Sequence, residues 1–150
     1  MSLTSPAEVS APIDVLVTWH EGRGIPDDWN DGVRAWSAPD LSSTTALHHT
    51  RAVHDGRTVG VHVASTRRDG LLQSVWCAVD PAWRGRGLAQ RLVARHVRWA
   101  GQHDRLRIRA HTPADCTAML VANLKAGLSV VGSFTDADGA VFVIFQGAAP

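Results

Sequence analysis

Residues Asp80 to Arg95 hold the densest chemistry in the chain: Asp80-Pro81-Ala82-Trp83-Arg84-Gly85-Arg86-Gly87-Leu88-Ala89-Gln90-Arg91-Leu92-Val93-Ala94-Arg95. Gly85 and Gly87 let the backbone come close to a bound group, and Arg84 and Arg86 supply positive charge. Where such a loop opens a helix, the first N–H groups have no helical partner and the peptide dipoles favour an anion. The chemistry is that of holding a phosphate-bearing ligand. Neither G-x-G-x-x-G nor G-x-x-x-x-G-K occurs here, so the loop is not one of the Rossmann or Walker type.

Two elements must position that loop. The apolar run Val75-Trp76-Cys77-Ala78-Val79 reads as a short strand, which Pro81 ends because it has no N–H for a ladder. After Gly87, Leu88, Leu92, Val93, Val97, Trp99 and Ala100 recur at helical spacing and predict a helix over 88–102. Upstream, Ile13 to His20 alternates as a strand. Pro26-Asp27-Asp28 then opens a helix whose one face carries Ile25, Trp29, Val33 and Trp36, with both tryptophans read as core. A polar loop covers 37–45. Ala46 to Val53 and Thr58 to Arg67 read as strands joined by His54-Asp55-Gly56-Arg57, a hairpin signal, and a third strand covers Leu72 to Val79. Arg105 to His111 is the next strand, and a helix is expected from Thr112 or Pro113 to about Ala126, stopped by Gly127. Val130 to Thr135 and Val141 to Gln146 close the chain around Asp136-Ala137-Asp138-Gly139.

This reading gives one domain over 13–146, with a loose tail at 1–12 and another at 147–150. The chain has 150 residues, 45% of them hydrophobic, which suits a single globular core. A net charge of +1 argues against a nucleic-acid partner. Lys125 is the only lysine and tyrosine is absent. Cys77 and Cys116 are too few for a disulfide framework, so a reducing cytoplasm is expected. No apolar run approaches a membrane span, and no signal peptide is evident. No metal is expected, since His48 and His49 are adjacent on a strand and face opposite sides.

The loop resembles the acetyl-CoA loop of the GNAT acyltransferase superfamily, Arg/Gln-x-x-Gly-x-Gly/Ala, with Arg84, Gly87 and Ala89 at the fixed positions. Val79-Asp80-Pro81 is similar to the Val-x-Pro that leads into it. Met119-Leu120-Val121-Ala122-Asn123-Leu124-Lys125-Ala126-Gly127-Leu128 resembles a second signature of that superfamily. Met119, Leu120, Asn123 and Gly127 match, while Cys116, Ala126 and Leu128 depart from it. The order of elements over 13–146 is also similar. The resemblance implies an α+β fold with a mixed, mostly antiparallel sheet that splays after its fourth strand, flanked by helices. It further implies that Cys77, Ala78 and Val79 hold the pantetheine, that Arg84, Gly85, Arg86, Gly87, Leu88 and Ala89 hold the pyrophosphate, and that Asn123 contacts the cofactor.

The implied activity is that of an acyl-CoA-dependent N-acyltransferase, using acetyl-CoA and direct attack of an amine. Asn123 stands where other members of the superfamily carry a tyrosine acid for the departing thiol. A thiol of pKa ~8.5 leaves tolerably without one. A base is needed more, because an amine of pKa ~10 must lose a proton, at a cost of ~4 kcal/mol at neutral pH. His111, at the end of a central strand, is the candidate catalytic base, ahead of Asp115, Glu21, His62 and the pair His48–His49. The acceptor is a small-molecule or peptide amine, and the sequence also allows a homodimer. The main alternative is a non-catalytic acyl-CoA-binding module. Nucleic-acid binding through Arg91, Arg95 and Arg98 is the third reading, disfavoured by the neutral charge and the lack of interleaved aromatics.

Overall fold

A computed structural model describes residues 14–21, 46–66, 71–102 and 107–147. Seven strands form one sheet: β1 (Asp14–Glu21), β2 (Ala46–His54), β3 (Arg57–Thr66), β4 (Leu71–Val79), β5 (Arg107–Pro113), β6 (Ser129–Thr135) and β7 (Val141–Gln146). Their spatial order is β1-β2-β3-β4-β5-β7-β6, and every neighbouring pair is antiparallel except β4 and β5. Two helices, α1 (Leu88–Gln102) and α2 (Thr117–Lys125), are described beside it. The fold is α+β. The expected helix over Ile25 to Trp36 and the 37–45 loop lie outside the described residues.

The hairpin between β2 and β3 follows from Asp55-Gly56, whose φ angles of 49° and 72° suit a tight two-residue turn. Helix α1 presents Leu88, Leu92, Val93, His96 and Ala100 to the sheet, all buried. Leu88 and Leu92 pack on Ala52 and Val59, while Ala100 packs on Ala64, Leu72 and Ile108. Each fully buried aliphatic side chain contributes about 1.5–3 kcal/mol. Gly60 permits the close approach, because a Cβ there would meet Leu92 Cδ1 at 3.0 Å. Thr50 Oγ1 adds a bond to the Leu92 carbonyl (3.1 Å).

One expectation is corrected. Thr112 and Pro113 do not open a helix; β5 continues through them, paired to Val143 and Phe142 of β7, and α2 starts only at Thr117. A proline is tolerated there because β5 has by that point lost its neighbour β4 and become an edge on that side. Gly127 ends α2 as expected, with φ 97° and its N–H donating to the Leu124 carbonyl at 3.1 Å.

Candidate active site

The parallel pairing of β4 with β5 is short. It joins Leu71, Leu72 and Gln73 to Arg107, Ile108 and Arg109 and then stops, although β4 runs to Val79 and β5 to Pro113. A cleft opens between the strands from Ser74 onward. At the same height β4 carries a bulge: Val63 faces Trp76 and Ala64 faces Ser74, so Val75 has no partner on β3. Beyond the bulge, Asp80 N–H donates to the Val59 carbonyl (2.9 Å). By the alternation of an antiparallel ladder, Ala78 and Asp80 then turn their backbone groups to β3, and Cys77 and Val79 turn theirs to the cleft. Of the three residues expected to hold a pantetheine, Ala78 therefore offers the cleft no backbone group.

At the open end, Asp80 caps a single 3-10 turn, Pro81–Trp83, through its carboxylate on Ala82 N–H (3.0 Å). Arg84 Nε donates back to the Val79 carbonyl (3.2 Å), and Arg86 Nη2 lies 3.4 Å from the Ala82 carbonyl. The Arg86 guanidinium also sits 4.6 Å over the Trp83 ring, which in turn packs against the cluster of Ala52, Val59, Leu88 and Leu92. Both arginines thus fix the loop. Gly85 and Gly87 have φ of 78° and 76°, which L side chains rarely adopt, and a Cβ on either would project into open space. The N–H groups of Gly85, Gly87, Leu88 and Ala89 have no backbone acceptor among the described residues. A row of N–H donors without backbone acceptors at the start of α1, with no acid in its first turn, fits a diphosphate.

His111 is exposed and lies two residues before the end of β5, with its ring 5.0 Å from that of Phe134. It belongs to the sheet face opposite α1 and α2, because Ile108, Ala110 and Thr112 alternate with it and are buried. Asn123 is only 1% exposed, and its Nδ2 donates to Thr112 Oγ1 at 2.9 Å. Its side chain is closed in between α2 and β5. Cys77 is half-buried against Val93, Ala110 and Phe145, and desolvation pushes its thiol up to about 12. Asp115 is exposed in the turn before α2, Glu21 lies in β1, and His48 is half-buried with its ring 4.7 Å from Trp99. Among the described residues no three His, Cys, Asp or Glu side chains gather as a metal site would require.

Two features escape a sequence reading. His62, His96 and Ser74 form a chain in which both histidines are buried: His62 Nδ1 is 2.8 Å from His96 Nδ1, and His62 Nε2 is 2.9 Å from the half-buried Ser74 Oγ. Desolvation lowers His62 to about 4, so it is neutral at pH 7. His96 was detectable in principle, since it falls one helical turn after Leu92 and one before Ala100 on the apolar stripe. Arg109 is the second. It flanks the narrow end of the cleft, where it donates to Gln146 Oε1 (3.0 Å) on the same face as His111.

A sequence profile of the acetyltransferase (GNAT) family matches residues 14–120. The chain belongs to that family. Its fold is shared with a Klebsiella pneumoniae protein assigned as an acyl-CoA N-acyltransferase (TM-score 0.67, 19% identity, 90% of this chain and 99% of that one). It is likewise similar to the IAA acetyltransferase of Bacillus cereus (TM-score 0.63, 13% identity, 90% and 99%). A third likeness is to a Bacillus anthracis protein assigned as a streptothricin acetyltransferase and solved with acetyl coenzyme A (TM-score 0.61, 18% identity, 68% and 62%). The match therefore spans about 62% of that last protein's length. No curated protein matches the sequence significantly.

Proposed function

We propose that this chain transfers an acetyl group from acetyl-CoA to the nitrogen of a small-molecule amine by direct attack. One observation carries the reading: the stretch of β4 beyond Gln73, which no described strand pairs on the β5 side, joins the glycine loop at one end to the bulge at Val75 at the other. An extended arm anchored by its diphosphate on Gly85, Gly87, Leu88 and Ala89 runs along Cys77 and Val79 and brings its far end to the bulge. The thioester supplies the activated carbonyl, and backbone N–H groups near Val75 stabilise charge that builds on its oxygen. The Bacillus anthracis neighbour, assigned to streptothricin and solved with acetyl coenzyme A, supports this choice of donor and of amine class.

His111 takes the amine proton, directly or across one water. Its exposure on the face away from α1 gives it access to an acceptor that approaches from the side opposite the loop. The described residues offer no tyrosine acid, since the chain contains none. The thiolate therefore leaves unassisted or takes its proton from solvent. Asn123 supports β5 through Thr112 rather than touching the reactants.

Release of free CoA from acetyl-CoA across a panel of amines, amino acids and polyamines tests the proposal. Amine-dependent release supports it. Tight CoA binding with no turnover on any amine favours instead a non-catalytic acyl-CoA-binding module, the reading that the missing tyrosine suggests.

A further inference from the structure

Arg109 stands on the last rung that joins β5 to β4, opposite Gln73, at the narrow end of the cleft. Its side chain is half-buried. Nη2 donates to Gln146 Oε1 (3.0 Å), and Nε is enclosed with no acceptor among the described residues. The register partners of Arg109 on the two flanking strands are Gln73 of β4 and Gln146 of β7, both neutral amides. No carboxylate among the described residues pairs with it. A guanidinium stays charged at any working pH, and neutral amides alone compensate a partly desolvated cation poorly. An anion that meets it with charge-assisted hydrogen bonds would complete the site.

The position of Arg109 gives that anion a place in the reaction. Arg109 and His111 alternate with the buried Ile108 and Ala110, so both belong to the face away from α1. Alternate residues of a strand are about 6.6 Å apart. One small molecule can therefore reach both. Because β4 and β5 part just after the Gln73–Arg109 rung, the two side chains stand along the rim of the cleft, near the bulge at Val75. Beyond His111 the same face turns apolar: Phe134 lies against the His111 ring and stacks on Phe142 at 5.1 Å.

We propose that Arg109 binds a carboxylate on the acceptor, so that the substrate class is a free amino acid rather than a simple amine or a polyamine. The carboxylate meets the Nη edge of Arg109, the amine of the same molecule lies toward His111, and the side chain runs toward Phe134. Gln146 holds the guanidinium in place, and the positive charge of Arg109 discriminates against polyamines. The inference rests on the acetyl transfer proposed above and adds its acceptor.

CoA release from acetyl-CoA by the full chain, measured for each common amino acid and for its own carboxamide, tests it. For the best acceptor, kcat/KM of the acid should exceed that of the amide by about tenfold or more. Arg109→Gln should erase this preference by raising the KM for the acid about tenfold to a hundredfold, with CoA affinity unchanged. Arg109→Lys should keep part of it, since the charge remains and the planar fork is lost. The acid-to-amide comparison is made in the wild type, so it decides the matter even if Arg109→Gln fails to fold. Amides that match the acids overturn the proposal, as does turnover confined to amines without a carboxylate. A preference that survives in folded Arg109→Gln also overturns it. If no amine is acetylated, the proposed transfer fails, and calorimetry on the CoA-saturated protein decides the carboxylate site by itself. Binding of an amino acid but not of its amide supports the site, and binding of both or of neither overturns it.

Discussion

The Nδ1 atoms of His62 and His96 lie 2.8 Å apart in the core between β3 and α1. Each ring is at most 1% exposed, and among the described residues His96 Nε2 has no hydrogen-bond partner. Protonating both rings would bury two like charges in contact, so the folded protein holds the pair neutral. His62 is lowered to about 4 by desolvation. His96 is pushed well below the ordinary value, first by desolvation and then by His62, His48, His49 and Arg95.

Acid should therefore loosen this protein well above the carboxylate range. Both folded values are depressed, so the stability is fully present above pH 6.5 and is lost as pH falls toward 4. From His62 alone the loss by pH 4 is about 3 kcal/mol. Urea unfolding midpoints measured between pH 7.5 and 4.5, as roughly spaced steps, would follow it. His96→Leu, which places an aliphatic group on the apolar stripe, should flatten the dependence. A midpoint that stays constant from pH 7 to 5 in the wild type would contradict this account of the pair.

The two cysteines should differ sharply toward alkylation. Cys77 has its thiol raised to about 12 by burial, whereas Cys116 is exposed. Thiolate is the reactive form, so iodoacetamide at pH 8 should label Cys116 and spare Cys77 until the protein is unfolded. Mass spectrometry of the native protein should show one adduct. Two adducts at comparable rates would mean that the β4 edge opens much further than its packing allows.

Asn123 is expected to act on stability before kinetics. Its bond to Thr112 Oγ1 is buried, and Asn123→Ala leaves that hydroxyl without its donor, at a cost of about 1–3 kcal/mol. Thr112→Val should cost a similar amount, and the double variant less than the sum. The KM for acetyl-CoA in Asn123→Ala should stay within about threefold of wild type. A large rise in KM with unchanged stability would return Asn123 to the cofactor.

Much of the structure around the proposed cofactor loop is legible in the sequence because it is local. The strand, the loop of Arg84, Gly85, Arg86 and Gly87, and the apolar stripe from Leu88 to Ala100 follow one another within thirty residues, roughly the span of one supersecondary unit. What escapes is tertiary. The continuation of β5 through Pro113 depends on pairing with Phe142, far along the chain, so the proline reads as a helix start. The burial of Asn123 depends on Thr112 being brought under α2. The His62–His96 pair depends on packing α1 against β3, and the bulge at Val75 on the register of β3 against β4. No spacing in the sequence encodes these.

His111 is the proposed base, and its pH profile tests the role. If it takes the amine proton, kcat/KM should fall on an acidic limb that His111→Ala removes, with a rate loss of about 10²–10⁴-fold. Affinity for CoA should not change, because His111 lies on the face away from the loop. The same profile in both proteins would pass the role to Asp115, Glu21 or solvent.

The central claim is that the cleft edge of β4 and its glycine loop hold acetyl-CoA for transfer to an amine. Gly87→Val addresses it most directly, because a Cβ at φ 76° meets no atom within 4 Å in the protein itself. A branched side chain there is disfavoured by the backbone angle and projects into the space assigned to the diphosphate. Calorimetric titration with CoA, paired with amine-dependent CoA release, should show affinity and turnover both reduced by about tenfold or more in a variant that remains folded. Wild-type affinity and turnover in folded Gly87→Val would contradict the claim and leave the loop a surface turn.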